Sequence, residues 1–495
     1  MPINPSNIRV VDVARLLNST SFGFVLPQAR LYREFNRIGF RIGSPENSRN
    51  INLLKYIAWM FDRKHTPEEP SGARSYEDRR NAERDRQAEQ SLAGRDIGPL
   101  PEVVNPDRKA ACERNFQLFC ESYFPETYAL AWSPDHLKVI EKIETAVLRG
   151  GLFALALPRG SGKTTITESA ALWSMLYGHR EFVVLIGATE SAALELLDSL
   201  KTELEVNERL AEDFPEVCYP VAQLEGIANR CAGQLCKGER TRITWTSNEI
   251  VLPTIKDSKA SGIIVRVAGI TGRIRGMKFK RSDGRSVRPS LVIIDDPQTS
   301  ESAGSLEQTR KRVRVLAGDI LGLAGPGQKI SGIMPCTIIR PGDMADIILN
   351  RNTHPDWNGE KTRMVYRFPS NMKLWEEYAE IRAEALRTEG NFQKATEFYL
   401  ANREAMDAGA EVSWEARFNH DEVSALQHAM NLKFQDEAAF MSEYQNDPLP
   451  DDTADDSLLS VDEICAKING LARRRVPLKC DRLTMFVDVV RQEVA

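Results

Sequence analysis

A glycine turn tipped with lysine and a pair of aspartates are the residues of this chain best suited to chemistry. The run Phe153-Ala-Leu-Ala-Leu-Pro158-Arg159-Gly160-Ser161-Gly162-Lys163-Thr164-Thr165 reads as a strand, a loop and a helix start. Glycines at 160 and 162 let backbone N–H groups turn toward an anion with no Cβ in the way. Lys163 then offers a point charge to the β- and γ-phosphates of a nucleotide, and the Thr164 hydroxyl offers an oxygen to Mg2+. The helix start adds its positive dipole end. Downstream, Leu291-Val-Ile-Ile-Asp295-Asp296-Pro297 closes an apolar run with two carboxylates. Asp295 suits the cation, and Asp296 suits the polarising of an attacking water. A surface Asp-Asp turn after a buried strand is the alternative for that pair taken alone. Residues 158–165 are the expected nucleotide contacts, with ATP and Mg2+ the expected cofactors. One departure stands out: Leu157 occupies the place of the first glycine in G-x-x-x-x-G-K-[ST].

The elements that must position these residues follow from hydrophobic pattern. Apolar, β-prone runs recur at 153–157, 182–186, 263–267, 291–294 and 330–335, with helical patterns between several of them. Continuous apolar runs of this kind are buried parallel strands, so residues 109–365 are expected to form an α/β layered sheet. Residues 366–480 read as a mainly helical subdomain, and a last strand begins near 483, within a 481–495 segment. Residues 1–63 show two helical stripes, a short strand or wing at 39–43 and a further helix at 51–61. They carry nine Arg and Lys against four Asp and Glu, whereas the whole chain has a net charge of −5. Two readings fit that basic segment: a winged helix-turn-helix that binds DNA, or a small helical interaction domain with solvated basic faces. Between the two lies 64–108, polar and proline-flanked, expected to be a charged flexible linker.

Bulk properties narrow the classes. At 495 residues the chain should hold two or three domains, and 42% hydrophobic with 27% charged residues is an ordinary globular composition. The eight cysteines form no C-x-x-C pair; Cys218, Cys231 and Cys236 lack a fourth metal ligand at useful spacing, which favours free thiols in a reducing cytoplasm. No basic-then-apolar leader opens the sequence, and no apolar run approaches the ~18 residues of a membrane span. An intracellular, soluble protein is expected.

Leu157-Pro158-Arg159-Gly160-Ser-Gly-Lys-Thr resembles the deviant Walker A motif of tailed-phage terminase large subunits, in which Pro-Arg commonly precedes the glycines. The resemblance implies a DNA-packaging ATPase of the P-loop (ASCE/RecA-like) α/β class, with Arg159 sensing or stabilising the γ-phosphate. Gly269-Ile-Thr-Gly272-Arg273-Ile-Arg275-Gly276 looks like the family's glycine/arginine loop, and Arg273 or Arg275 becomes a candidate to reach a neighbour's γ-phosphate. The family usually carries Glu where this chain has Asp296, one methylene shorter. The segment 330–346 resembles the family's coupling segment, which makes Thr337 the candidate reader of phosphate state; a capped strand end is the alternative. Trp132-Ser-Pro-Asp135-His136-Leu-Lys138 sits where the family contacts the adenine, with an N-capped helix as the other reading. The segment 440–448, with Asn446 and Pro448, is similar to the family's approach to its nuclease domain. Implied partners are double-stranded viral DNA, the portal protein, the terminase small subunit and further copies in a ring on the procapsid, in the host cytoplasm and with no membrane.

Met485-Phe-Val-Asp488-Val-Val looks like the first strand of an RNase H-like nuclease. A two-metal nuclease needs several carboxylates from separate strands, so Asp488 alone is an incomplete site and cleavage is expected only of a longer form. Two rival functions remain at this point: a helicase-like, DNA-stimulated translocase, and a DNA-binding scaffold with a vestigial ATP site.

Overall fold

A computed structural model of the protein describes residues 4–19, 31, 33, 50–65, 95–281 and 284–450. The chain divides into two compact units, Met1–Ser91 and Leu92–Ala495. In the first, Ile8–Arg9 pairs antiparallel with Asn50–Ile51, and helices span Val10–Asn18 and Leu53–His65. Val13, Ala14, Leu31, Ile51 and Tyr56 make its small core. The expected wing at 39–43 and most of the expected middle helix lie outside the described residues, as do the last strand near 483 and Asp488.

The second unit is built on an eight-stranded, mainly parallel sheet. In chain order its strands are β1 (Leu152–Ala156), β2 (Phe182–Gly187), β3 (Thr244–Trp245), β4 (Glu249–Val251), β5 (Ile264–Gly269), β6 (Leu291–Asp295), β7 (Ser331–Cys336) and β8 (Glu360–Lys361). Their spatial order is β8-β1-β7-β6-β2-β5-β4-β3. The first six are parallel, and β4 and β3 close one edge antiparallel. Each central strand is buried on both faces, which is why it reads as an unbroken apolar run. Side chains alternate strictly: Phe153, Leu155, Val183, Leu185, Leu291 and Ile293 face one core, while Ala154, Ala156, Val184, Ile186, Val292 and Ile294 face the other.

Against the first face pack α1 (Pro134–Leu148), α2 (Lys163–Leu176) and α3 (Glu190–Val206). α2 is nearly wholly buried beyond its first turn, with Thr167, Ser169 and Ser174 enclosed alongside its apolar residues. The other face receives α4 (Leu306–Val315), a π-helical turn at Leu316–Ile320 and α5 (Met344–Leu349). After the sheet, a strand at Val365–Arg367 pairs with Glu411–Val412. Helices α6 (Met372–Thr388), α7 (Gln393–Ala401) and α8 (Ala425–Gln435) then gather around Trp375, Tyr378, Tyr399 and Met430.

The linker expected over 64–108 needs correction at its C-terminal end. Residues from Arg95 onward are packed. The Asp96 carboxylate accepts from the N–H groups of Gly98 (2.9 Å), Lys237 (3.0 Å) and Gly238 (2.7 Å). Val104 N–H donates to the Glu212 carbonyl at 3.0 Å, and Arg108 pairs with the fully buried Asp213 at 2.6 Å. Polar composition signalled a linker there, but these polar groups find partners in the body of the second unit, so the backbone is held by hydrogen bonds rather than apolar burial.

Candidate functional site

β1 brings the chain to the C-terminal edge of the sheet, where residues 157–162 turn back into α2. Gly160 and Gly162 both adopt left-handed backbone, φ 75° and 76°. A Cβ at Gly162 would meet nothing within 4 Å, so the backbone conformation itself calls for glycine there. The Pro158 carbonyl closes the turn, accepting from Ser161 N–H at 3.1 Å and its hydroxyl at 2.7 Å. His136 Nε2 lies 3.0 Å from the Ser161 carbonyl. Its Nδ1 accepts from Ser133 N–H at 3.2 Å, so Nε2 carries the proton that reaches the loop. Burial holds this imidazole below its ordinary pKa, keeping it neutral. Ser133, Thr189 and Asp343 cap α1, α3 and α5 with side-chain oxygens, but α2 begins at Gly162 with no side-chain cap. Its first-turn N–H groups are therefore left for an outside acceptor.

Sheet order decides what this loop meets. β7 lies between β1 and β6, so the ends of all three strands face the start of α2. Lys163 Nζ is 2.7 Å from the Asp296 carboxylate and also donates to the Thr337 hydroxyl. Thr164 Oγ1 donates to Asp295 at 3.0 Å. Asp296 has a left-handed φ of 36°, uncommon for a residue with a Cβ, and its N–H is tied to the Pro335 carbonyl at 3.1 Å. The structure thus brings Lys163, Thr164, Asp295, Asp296 and Thr337 together.

No family model and no curated protein matches this chain. Burial, and then the charge of Asp296, push the Asp295 carboxyl up to about 6, against the pull of Thr164 and Lys163. Burial likewise raises Glu168, one turn after Thr164 on α2, to about 7, with Asp295 adding to the shift. Burial disfavours the ionised form of both carboxyls, and a bound divalent cation would reverse the shift. Thr164 and Asp295 are hard oxygen donors of the kind Mg2+ takes. Among the described residues no cluster of three or more His, Cys, Asp or Glu is poised for a metal, and the described cysteines, Cys218, Cys231 and Cys236 included, are free thiols.

The remaining expected residues fall into separate places. Arg159 is exposed and faces Glu443, 3.7 Å away, while its N–H donates to the Glu443 carbonyl at 2.7 Å. The Thr165 carbonyl accepts from the Tyr128 hydroxyl at 3.1 Å. Arg273 and Arg275 lie past β5, lining a cavity of about 410 Å³, and Arg275 pairs with Asp319 at 2.5 Å. The Trp132–Lys138 segment is an N-capped helix start that also borders a cavity of about 500 Å³ with Trp132, Asp135, Tyr366 and Trp414 on its walls.

Several groups at this site carry more than their sequence context announced. Arg417 donates to the Arg159 carbonyl and lies over the Tyr444 ring, 5.4 Å from its centre. Asn446, legible in the sequence only as part of a helix end, is fully buried. It accepts from Ile338 N–H at 3.1 Å and donates to the Thr362 carbonyl at 3.0 Å. Gln298 donates to both the Thr337 carbonyl (3.2 Å) and Asp343 (2.7 Å). Only Glu168 had a local signal that could have found it: its i+4 spacing from Thr164 puts both on one helix face.

Proposed function

We propose that this chain is a Mg2+-dependent ATPase, working as the motor subunit of a viral terminase that drives double-stranded DNA into a procapsid. One observation carries the ATPase reading: Lys163 and Thr164, at the uncapped start of α2, reach Asp296 and Asp295 across adjacent strand ends. Nucleotide phosphates at the open N–H groups would draw Lys163 away from Asp296 and leave that carboxylate free to orient water. Thr164 and Asp295 would hold the ion that neutralises charge developing on the transferred phosphoryl group. Thr337, now on Lys163, would feel the exchange directly. Further support comes from β7, which lies between the glycine-loop strand and the acidic strand and brings Thr337 to the same edge as Lys163. The walls of the 500 Å³ cavity at the start of α1, the helix whose His136 touches the loop, include two tryptophans and a tyrosine, suited to a nucleobase.

The terminase part of the reading rests on Pro158-Arg159 ahead of the glycines, the Gly269–Gly276 loop and the 330–346 segment. Portal, small subunit and a ring of copies come with it, and Arg273 or Arg275 is then the group offered to a neighbouring copy. A helicase-like translocase fits less well, because the described residues after 366 build a helical core around Trp375 and Tyr399 and pair only two short strands, so they supply no second large sheet.

ATP turnover by the full chain, with and without duplex DNA, tests the reading. Wild type should hydrolyse ATP faster with DNA, and Lys163→Ala should lose on the order of 100-fold or more, as expected when a group stabilising transition-state charge is removed. Absence of turnover in wild type under both conditions would refute it in favour of a scaffold.

A further inference from the structure

The connection from β5 to β6 carries an unusual charge. β5 ends at one edge of the sheet and its parallel companion β6 begins at the other, so residues 270–290 must travel the full height between them. At ~3.3 Å per residue, a six-residue strand makes that height roughly 20 Å. The connection crosses on the face covered by α4 and α5. Ile270, Ile274, Met277 and Val287 turn inward to that core, and a short hairpin pairs Phe279–Lys280 with Ser286–Val287. Outward it is basic. Residues 273–288 hold seven Arg and Lys and a single acid, Asp283, in a chain whose net charge is −5.

Some of these cations are already committed. Arg275 pairs with Asp319, and Arg281 with Glu181 at 3.3 Å. Arg273, Lys278, Lys280 and Arg288 are exposed and have no carboxylate partner among the described residues. Two cavities border the connection: the one of about 410 Å³ beside Gly272, Arg273 and Lys278, and another of about 390 Å³ beside Arg288. Glu190 is the acid on the wall of the first, too little to cancel the surplus.

We propose that this strap, through Arg273, Lys278, Lys280 and Arg288, is a binding site for the phosphate backbone of duplex DNA. Its length matches about six base pairs at 3.4 Å each. An exposed file of cations held on a packed, apolar underside can grip phosphates without base readout. Single-stranded nucleic acid is favoured by exposed aromatic platforms, and Phe279, the one aromatic of the strap, is partly buried against the core. The inference rests on the motor reading for its purpose, while the charge and its placement stand independently of the ATP site.

The test is fluorescence anisotropy of a labelled 30-base-pair duplex with the full chain, without nucleotide, across a salt series. The triple variant Lys278→Ala/Lys280→Ala/Arg288→Ala should bind at least tenfold more weakly at 0.1 M salt. Its log K against log [salt] slope should be shallower by roughly 2.7, about 0.9 for each phosphate that no longer has a cation beside it. Binding of a fluorescent ATP analogue should be the same in both proteins, which shows that the variant is folded and separates this outcome from failure of the ATPase reading. An unchanged duplex affinity and slope in the variant would overturn the proposal and place DNA binding elsewhere in the chain. Tighter binding of a single strand than of the duplex by wild type would overturn it as well.

Discussion

Asp295 shows how one carboxyl ties the site to pH. Its folded value of about 6 lies above the ordinary 3.8, so between those two pH values the protein gains a proton at this position on folding. The stability that this proton brings is complete below the unfolded value and is lost as pH rises through about 6. Metal needs the ionised form, so affinity for Mg2+–nucleotide should climb with pH and level off above about 6; titrations from pH 5 to 8 would show it, and a flat profile would remove Asp295 from the ion. Glu168, raised from 4.5 to about 7, has the same sign. Glu168→Gln removes an ionisation that burial disfavours, so it should stabilise the nucleotide-free protein at pH 8, on the order of 1–3 kcal/mol, and scarcely at all at pH 4. Paired melting curves at the two pH values check this. At this scale the sequence was a good guide to which contiguous residues the fold brings together, as with Lys163-Thr164 and Asp295-Asp296. It gave no warning of Arg417 or Glu443, whose meeting with Arg159 depends on a fold that returns to the loop more than 250 residues later.

Elements were readable to the degree that they are buried on both faces. The five central strands lie within a residue or two of the apolar runs that announced them, because two-sided burial leaves no room for polar interruptions. β3, β4 and β8 escaped notice: each has two or three residues, and their pairing is set by distant neighbours rather than by pattern. In the turn into α5, within the 330–346 segment, Asp343 works as more than a helix cap. Its carboxylate accepts from Asp346 N–H (2.9 Å), Ile339 N–H (2.7 Å), Arg340 N–H (3.0 Å) and Gln298 (2.7 Å) while itself buried. Asp343→Ala would orphan those donors and should cost roughly 2–4 kcal/mol in urea unfolding, more than the ~1 kcal/mol of a simple cap. A loss under about 1 kcal/mol would mean the donors find water instead.

Across the whole second unit, the segment from Arg95 acts as a belt. Arg108 meets Asp213, whose carboxylate is fully buried and also accepts from the Tyr123 hydroxyl at 2.7 Å. Arg108→Ala would strand that charge in the interior and should destabilise the unit by roughly 3–5 kcal/mol, read from chemical denaturation. Replacing the carboxylate as well, in Arg108→Ala/Asp213→Asn, should recover part of the loss; no recovery would mean the belt is held by other groups. The borders of the great sheet have a different consequence. Its terminal strands, β8 at one side and β3 at the other, are stubs of two residues each. The long parallel ribbons between them are thus fenced by strands too short to template another chain's backbone. At these two borders another copy finds no long strand to pair with, and removing either fence should favour aggregation through the edge laid bare.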